Sequence, residues 1–321
     1  MRWYATLAMV LLFVPPWSGI PPRPLVRDGL IVSATRYVPA GGWPARVGAL
    51  EPIGALSLSS NQHGLGGFSA LALHRGQAIL LTDGGLVVRL RIARGTIATL
   101  AGASLVDGPE TGWQRASRDT EALVVDPTDG HAWIGYERIN TIWRYTADFA
   151  HAESAAYPPA MRDWGINTSI ESLVRLGDGR FLALREGSMK RPGPRAALLF
   201  AGDPSFYDTP VAALRYLPPS GYAPSDAALL PGGDVLVLNR RWRFPLRFDA
   251  LLVRIPASAI RPGALLQGQI VARLGELLGG ENVEGLAVSR ERGMTMIWMV
   301  TDNDEYWWRR TILAKFRWHG D

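Results

Sequence analysis

The 321-residue chain has 47% hydrophobic residues and a net charge of +5, which is typical of a globular protein and excludes a disordered chain. Its lack of cysteine excludes disulfides, a thiol nucleophile and a cysteine-ligated zinc site. The positive charge comes almost entirely from scattered arginines that form no basic run interleaved with aromatics, so we expect no nucleic-acid partner.

The first 25 residues have the pattern of a secretory signal. Arg2 is followed by an apolar run from Trp3 to Val14. This run is shorter than the ~20 residues that span a bilayer, and a charged start before a short apolar middle is typical of export signals. We therefore predict that residues 1–25 are a signal peptide or an uncleaved N-terminal anchor, and that the protein is periplasmic or secreted. Residues 26–321 are expected to form one domain.

Residues 26–66 contain two strand-like stretches, 30–38 and 47–59, that lack the pattern of the rest of the chain. The next five segments share one pattern, in which a polar residue leads an apolar strand, a polar turn follows, and a second apolar strand ends in another polar group. These segments are FSALALHRGQAILLTDGG from Phe68, DTEALVVDPTDGHAWIGYE from Asp119, SIESLVRLGDGRFLALRE from Ser169, PSDAALLPGGDVLVLNRR from Pro224 and NVEGLAVSRERGMTMIWMVTDND from Asn282.

The leading polar residues of these segments align in one column. The column contains Ser69, Glu121, Glu171, Asp226 and Glu284, in steps of 52, 50, 55 and 58 residues. A period near 50 over five hairpin units is typical of a β-propeller with one blade per unit. We predict an all-β fold, a β-propeller of five four-stranded blades, or of six if the N-terminal stretches form their own blade. With five blades, the last repeat supplies three strands and stretch 47–59 supplies the fourth.

The two strands of a hairpin run antiparallel, so the residue before the first strand and the residue after the second lie at the same end. Around a closed ring this predicts one mostly acidic face, composed of Glu121, Glu137, Glu171, Glu186, Asp226, Glu284 and Asp302, with Asp83 as a weaker member. Each acid could instead accept backbone N–H bonds in its own or a neighbouring blade. Crowded carboxylates are costly unless a cation or ligand offsets their charge, which favours a metal or ligand site for the ring as a whole.

Other side chains near these ends have two interpretations each. Arg240 and Arg241 suit recognition of phosphate or carboxylate, or they neutralise nearby acids as ion pairs. A Ser69–His63 triad is a further alternative, although no motif positions it. Aromatic residues that follow two of the second strands either pack within blades or line a substrate mouth; they are Trp242, Phe244, Tyr306, Trp307 and Trp308.

The polar motifs recur in a fixed order, as FSALAL with LTDGG, DTEALVV with GYE, NTSIESLV with ALRE, GYAPSDAALLPGGDVLVLNRRW, and ENVEGLAV with VTDND. Over about residues 45–318 this series resembles the phytase-like esterase family of exported bacterial proteins. The resemblance implies a β-propeller that hydrolyses phosphate or carboxylic esters. The family's repeated polar positions match Glu121, Glu137, Glu171, Glu186, Asp226, Arg240, Glu284, Asp302 and Asn303. The first hairpin departs from the pattern, because Ser69 and Asp83 give that blade less charge.

The residues and the resemblance together predict an exported, Ca²⁺-dependent hydrolase of small-molecule esters, with phosphate esters as the leading class. The expected general base is Glu137 or Glu186, and Arg240 or Arg241 would clamp the substrate. The alternative is a non-catalytic propeller that binds a ligand or envelope partner and holds a structural calcium. We expect a monomer that contacts a membrane only through an uncleaved N-terminal segment. The expected metal ligands are Glu121, Glu171, Asp226, Glu284, Asp302 and Asn303.

Overall fold

The computed structural model describes residues 29–62, 65–93, 95–109, 118–166, 168–188, 192–304 and 306–320. The predicted signal peptide or anchor over residues 1–25 and the candidate His63 lie outside these ranges. Within them, no helix is long and apolar enough to cross a membrane.

The described residues form 22 strands arranged in five sheets. In chain order the strands are β1 Val32–Tyr37, β2 Leu50–Ser60, β3 Phe68–His74, β4 Gln77–Thr82, β5 Leu86–Ala93, β6 Thr96–Ser104, β7 Thr120–Val125, β8 Ala132–Tyr136, β9 Thr141–Tyr145, β10 Ala152–Ala156, β11 Ile170–Arg175, β12 Phe181–Arg185, β13 Arg195–Phe200, β14 Val211–Tyr216, β15 Ala223–Leu229, β16 Val235–Arg243, β17 Arg247–Ile255, β18 Leu265–Leu266, β19 Gln269–Arg273, β20 Asn282–Glu291, β21 Met294–Asp302 and β22 Thr311–Trp318. The described residues also include two short 3₁₀ turns, Pro159–Met161 between β10 and β11 and Ala257–Ala259 between β17 and β18.

Each sheet is one blade of a five-bladed propeller. Blade I has the strand order β3-β4-β5-β6, blade II β7-β8-β9-β10, and blade IV β15-β16-β17-β19. Blade III is β11-β12-β13-β14 with the short β18 added in parallel at its outer edge. The first strands β3, β7, β11, β15 and β20 contact one another in a closed ring, which makes them the inner wall of the propeller. The prediction of an all-β propeller is confirmed.

Blade V closes the ring with strands from both ends of the described chain. Its order is β20-β21-β22-β2-β1, and β2 pairs antiparallel with β22 from Leu50 opposite Trp318 to Leu58 opposite Thr311. The stretch 47–59 therefore supplies the fourth strand, as predicted, and β1 adds a fifth. Because both N-terminal stretches join blade V, the described residues contain five blades and no separate sixth.

The blades are held together by apolar side chains that alternate along each strand and fill the spaces between sheets. Blades IV and V share a cluster that includes Leu238, Leu252, Leu286 and Phe316, all nearly inaccessible to solvent. Such stacking buries both faces of each sheet and leaves polar groups at the strand ends. The ends that carry the repeated polar residues consequently meet at one face of the ring.

Candidate functional site

The second strands of the five hairpins end at equivalent positions on one face. The backbone N–H groups of Asp83, Glu137 and Glu186 bond to the carbonyls of Gly67, Asp119 and Ser169 at 2.7, 2.8 and 2.9 Å. In blades IV and V the same position is occupied by residues paired as Ala223↔Arg240 and Asn282↔Asp302. The resulting five-fold set is Asp83, Glu137, Glu186, Arg240 and Asp302.

Each inner strand also carries a β-bulge near its start, where one residue has no partner on the second strand. The bulged residues are Ser69, Glu121, Glu171, Ser225 and Glu284. A bulge re-aims its side chain, and here it repeats once per blade. The alignment that placed Asp226 in this column was wrong by one residue, because matching acids by type takes no account of the bulge.

The two serines of the bulge set join neighbouring blades. The Ser69 hydroxyl donates to the carbonyl of Thr120 at 2.6 Å, and the Ser225 hydroxyl donates to the carbonyl of Val283 at 3.2 Å. Both bonds are buried and link one inner strand to the next. Ser69 is thereby engaged in backbone bonding, and the bulge positions of blades I and IV contribute no charge.

Asp226 lies beside this column and binds backbone groups. It is 2% exposed, and its carboxylate accepts N–H bonds from Ala227 and from Leu286 in blade V, both at 2.7 Å. Burial raises the pKa of Asp226 well above its usual range, although the two N–H groups oppose the shift. Asp226 therefore has the structural role that was the alternative to metal binding: it accepts backbone N–H bonds in its own blade and in a neighbouring one.

Replacing Asp226 with alanine is expected to lower the free energy of unfolding by about 2 kcal/mol or more, because two buried N–H groups lose their acceptor. Chemical denaturation of the variant measures this loss. Asp226→Asn, which keeps one acceptor oxygen, is expected to lose less. A variant of unchanged stability but weakened calcium binding would instead place Asp226 among the metal ligands.

Arg240 lies among the glutamates at the centre of the site. Its Nη2 is 3.2 Å from Glu186 Oε1 and 3.7 Å from Glu171 Oε2, and its Nη1 is 2.5 Å from Glu284 Oε1. Nη1 also donates to Asn282 Oδ1 at 3.3 Å. Burial opposes the charged form, yet the carboxylates raise the pKa of the Arg240 guanidinium well above its usual range. The Arg240 guanidinium thus connects blade IV to blades III and V through ion pairs.

A second group of carboxylates lies on the blade II side. Oxygens of Asp119, Glu121 and Glu137 lie within 4.8 Å of one another, and oxygens of Glu137, Glu171 and Glu186 form a second set with the same limit. Glu137 belongs to both sets and also accepts the backbone N–H of Ser169 at 3.2 Å. Within the described part of the chain, the Glu121 side chain makes no hydrogen bond or ion pair.

The pKa values of three carboxylates at the site are raised, chiefly by burial. Burial, with smaller contributions from Glu171 and Glu284, raises the pKa of Glu121 well above its usual range. Burial raises the pKa of Glu137 to about 7 despite the Ser169 N–H bond. Burial also raises the pKa of Glu284 to about 7, although Arg240 opposes the shift. A further cation would stabilise the ionised form of all three.

Asp302 and Asn303 lie at the junction of blades V and I. Asp302 Oδ1 accepts the N–H of Asp304 at 2.8 Å, and burial, then Glu284 and Asp304, raise the pKa of Asp302 to about 9. Asn303 Oδ1 accepts the N–H of Gly67 at 3.3 Å. Gly67 has φ +64, and a Cβ there would lie 2.7 Å from Asp83 Oδ1, so glycine is what admits these polar groups so close to the chain.

Arg241 is turned away from the carboxylates. Its Nη2 pairs with Asp249 Oδ2 at 2.9 Å, and its guanidinium lies 4.6 Å from the centre of the Tyr222 ring. Because successive side chains of a strand point to opposite faces, Arg240 and Arg241 cannot both enter the site. Asp119, by contrast, joins the site without having been selected from the sequence. Its position directly across the hairpin end from Glu137 is the signal that identifies it.

Comparisons with known proteins give one family and several distant structures. The model of the Phytase-like family, described as "Esterase-like activity of phytase", matches residues 63–305. Curated proteins give no significant match. The similar solved structures include a hydrazine synthase of Kuenenia stuttgartiensis (TM-score 0.41, 10% identity, 77% of this chain and 60% of that one) and the Cps50 (Swd1) β-propeller domain of Myceliophteria thermophila (0.40, 12%, 92% and 98%). A hypothetical protein from Leishmania major is similar at 0.43, with 10% identity over 98% of this chain and 94% of that one.

The chain spans 60% of the hydrazine synthase chain, and similarity at these identities and scores carries no information on function. The family match is of a different kind, because it extends over most of the sequence and includes all five hairpins that form the ring. The chain therefore belongs to the Phytase-like family.

Proposed function

We propose that the protein is an exported, calcium-dependent ester hydrolase that acts as a monomer on phosphate esters. The supporting observation is the imbalance of charge at the site. Two overlapping carboxylate groups share Glu137, and Arg240 forms ion pairs with two of their five members, Glu171 and Glu186. Calcium prefers several oxygen ligands, and the clustered carboxylates of blades II and III match that preference.

The three residues on the side away from the Arg240 ion pairs, Asp119, Glu121 and Glu137, suit the ion. They offer carboxylate oxygens within 4.8 Å of one another. When bound, the ion would lower the pKa of a coordinated water and offset negative charge on a phosphoryl oxygen. Glu121, which has no other partner in the described structure, is the ligand whose loss should matter most.

The protein's own residues would orient the substrate. Arg240 is fixed by Glu171, Glu186 and Glu284, so its guanidinium is positioned without further ordering. A planar guanidinium suits a tetrahedral oxyanion such as phosphate. Glu186, which is not among the three calcium ligands, has a pKa that burial raises although Arg240 opposes the shift, and a raised pKa is the property expected of a carboxylate that accepts a proton near neutral pH.

Calcium removal tests the proposal. Protein lacking residues 1–25 is expected to hydrolyse chromogenic phosphate monoesters in Ca²⁺ and to lose turnover in a chelator. At calcium 100-fold above its dissociation constant, binding adds about 2.7 kcal/mol of stability, or roughly 5 °C in Tm. Diesters and short acyl esters, assayed in parallel, identify the ester class. Export is tested separately by the location and mass of the protein in cells.

The matched variants are Glu121→Gln, at the site, and Glu276→Gln, at an exposed carboxylate that pairs with Arg247. The first should lose both the calcium-dependent rise in Tm and the turnover, and the second should keep them. Calcium stabilisation without turnover would instead favour the non-catalytic binding propeller. If calcium changed neither quantity, the acidic cluster would not be a metal site.

A further inference from the structure

Two neighbouring segments on the site face expose large aromatic and aliphatic side chains. One is the hairpin between β16 and β17, where Phe244 is 83% exposed and Leu246 63%. The other is the loop between β21 and β22, where Trp307 is 89% exposed. Trp242, Tyr306 and Trp308 are each about half exposed. These six residues, Trp242, Phe244, Leu246, Tyr306, Trp307 and Trp308, are called the aromatic rim.

The two halves of the aromatic rim form one surface. Arg309 from the second loop donates to the carbonyl of Leu246 at 3.3 Å, and its guanidinium lies 5.0 Å from the centre of the Phe248 ring. Within the second loop, Tyr306 and Trp308 stack with ring centres 4.4 Å apart. The Arg309 contacts hold the two segments beside each other, and exposed apolar side chains grouped in this way are of the kind that marks an interaction surface.

The rim projects outward from the site. The β16–β17 ladder continues past Arg240 to the pair Arg243↔Arg247, three residues further along β16. At 3.3 Å per residue this extends the hairpin about 10 Å beyond Arg240. A ring that lines a pocket is covered on one side by protein, whereas Phe244 and Trp307 are exposed by more than four-fifths. The exposure of these rings therefore favours their insertion into an apolar surface outside the protein over the lining of a substrate pocket.

The arginines around the aromatic rim differ in whether a carboxylate pairs with them. Arg247 pairs with Glu276 and Arg309 pairs with Asp304. Arg243 is exposed and has no ion pair or side-chain hydrogen bond in the part of the chain that the structure describes, whereas the exposed Arg310 interacts electrostatically with Glu281. Guanidinium groups bind phosphates through paired N–H donors, and Trp and Tyr favour the boundary between lipid headgroups and acyl chains. Anionic phospholipid headgroups complement this arrangement.

We propose that the aromatic rim docks the protein onto the surface of a phospholipid bilayer that contains anionic lipid. Phe244 and Trp307 enter the headgroup boundary, and Arg243 and Arg310 contact lipid phosphates. The buried carboxylates lie about 10 Å or more below the tip of the hairpin. The site face is thereby turned toward the membrane, and this contact is additional to the N-terminal segment, which the sequence predicted as the sole membrane contact.

Vesicle co-sedimentation tests this docking, with the blue shift of tryptophan fluorescence as a second readout. Wild-type protein should bind vesicles of phosphatidylcholine mixed with phosphatidylglycerol. Phe244→Ala/Trp307→Ala should weaken binding roughly tenfold or more, because two large rings lose their burial in the bilayer. Arg243→Gln/Arg310→Gln should weaken binding about fivefold per arginine, and only on the anionic vesicles. Neither variant should lower Tm, since these side chains are exposed.

The control is Phe206→Ala/Tyr207→Ala, which removes rings that are 49% and 70% exposed in the turn between β13 and β14. That turn lies at the opposite end of the propeller, so vesicle binding should be unchanged. Wild-type affinity in the Phe244/Trp307 variant would overturn the proposal, as would failure of the wild type to bind either vesicle. A raised KM for soluble esters with unaltered vesicle binding would assign the rim to the substrate instead. Vesicle binding is read without turnover, so this outcome is independent of the hydrolase proposal.

Discussion

Replacing Arg240 with methionine is expected to lower the free energy of unfolding by about 3–5 kcal/mol in calcium-free buffer. The substitution removes the cation of a buried ion-pair network and leaves its carboxylates uncompensated. Three carboxylates, on Glu171, Glu186 and Glu284, lose their ion pair in one step. Each is at most 11% exposed at its side chain, so solvent cannot replace the guanidinium fully. Chemical denaturation in the presence of a chelator measures the loss.

Added calcium should recover part of the lost stability, because an ion held by Asp119, Glu121 and Glu137 offsets the negative charge of the neighbouring Glu171 and Glu186. Turnover should not recover with it, since the substrate clamp is missing. Arg241→Met is the matched control: its pair with Asp249 is 39% exposed at the arginine and should contribute less than about 1 kcal/mol. An Arg240→Met protein as stable as the wild type without calcium would show that the carboxylates are protonated or solvated, and that Arg240 is not their main counter-ion.

Repetition made the fold predictable from the sequence. Five hairpins at steps near 50 residues establish the blade number, and the antiparallel geometry of each hairpin brings Glu121 and Glu137 to one end without any knowledge of the packing. The closing strand was predictable for a related reason. The last repeat had only three strands available, and the stretch later found in β2 had no repeat of its own.

The site was less predictable, because its details depend on single-residue register. The bulge places Ser225 in the column and leaves Asp226 to bond with Leu286, a difference that residue type does not show. Likewise, strand alternation requires that one of Arg240 and Arg241 faces the acids, but the sequence does not say which. The outward reach of Phe244 also depends on how far the β16–β17 ladder continues, and a hairpin pattern leaves that length open.

Removing β1 and β2, by deleting residues 1–60, is expected to abolish cooperative folding. Strand β2 pairs with β22 from Leu50 to Leu58, and Leu50 is fully buried in the cluster that holds Phe316. Loss of one buried leucine costs about 2–5 kcal/mol, whereas a whole domain has a net stability of about 5–15 kcal/mol. Deleting Leu50 and Leu58 together with their backbone ladder exceeds what the remaining strands can offset. Circular dichroism and thermal melting should show no cooperative transition.

The control is a deletion of residues 1–28, which keeps both strands and should melt as the full-length protein does. Leu50→Ala separates the packing contribution from the ladder, because it preserves the strand and should still fold, with a loss of about 2–5 kcal/mol. The deletion of residues 1–60 also leaves β22 as an unpaired edge, so that variant should aggregate. Adding a peptide of residues 29–60 should restore a folded ring if closure is the cause. A cooperative melt in the shortened protein alone would mean that four complete blades and three strands of blade V are enough for folding. Strands β1 and β2 would then add to the outside of the ring and would not be needed to close it.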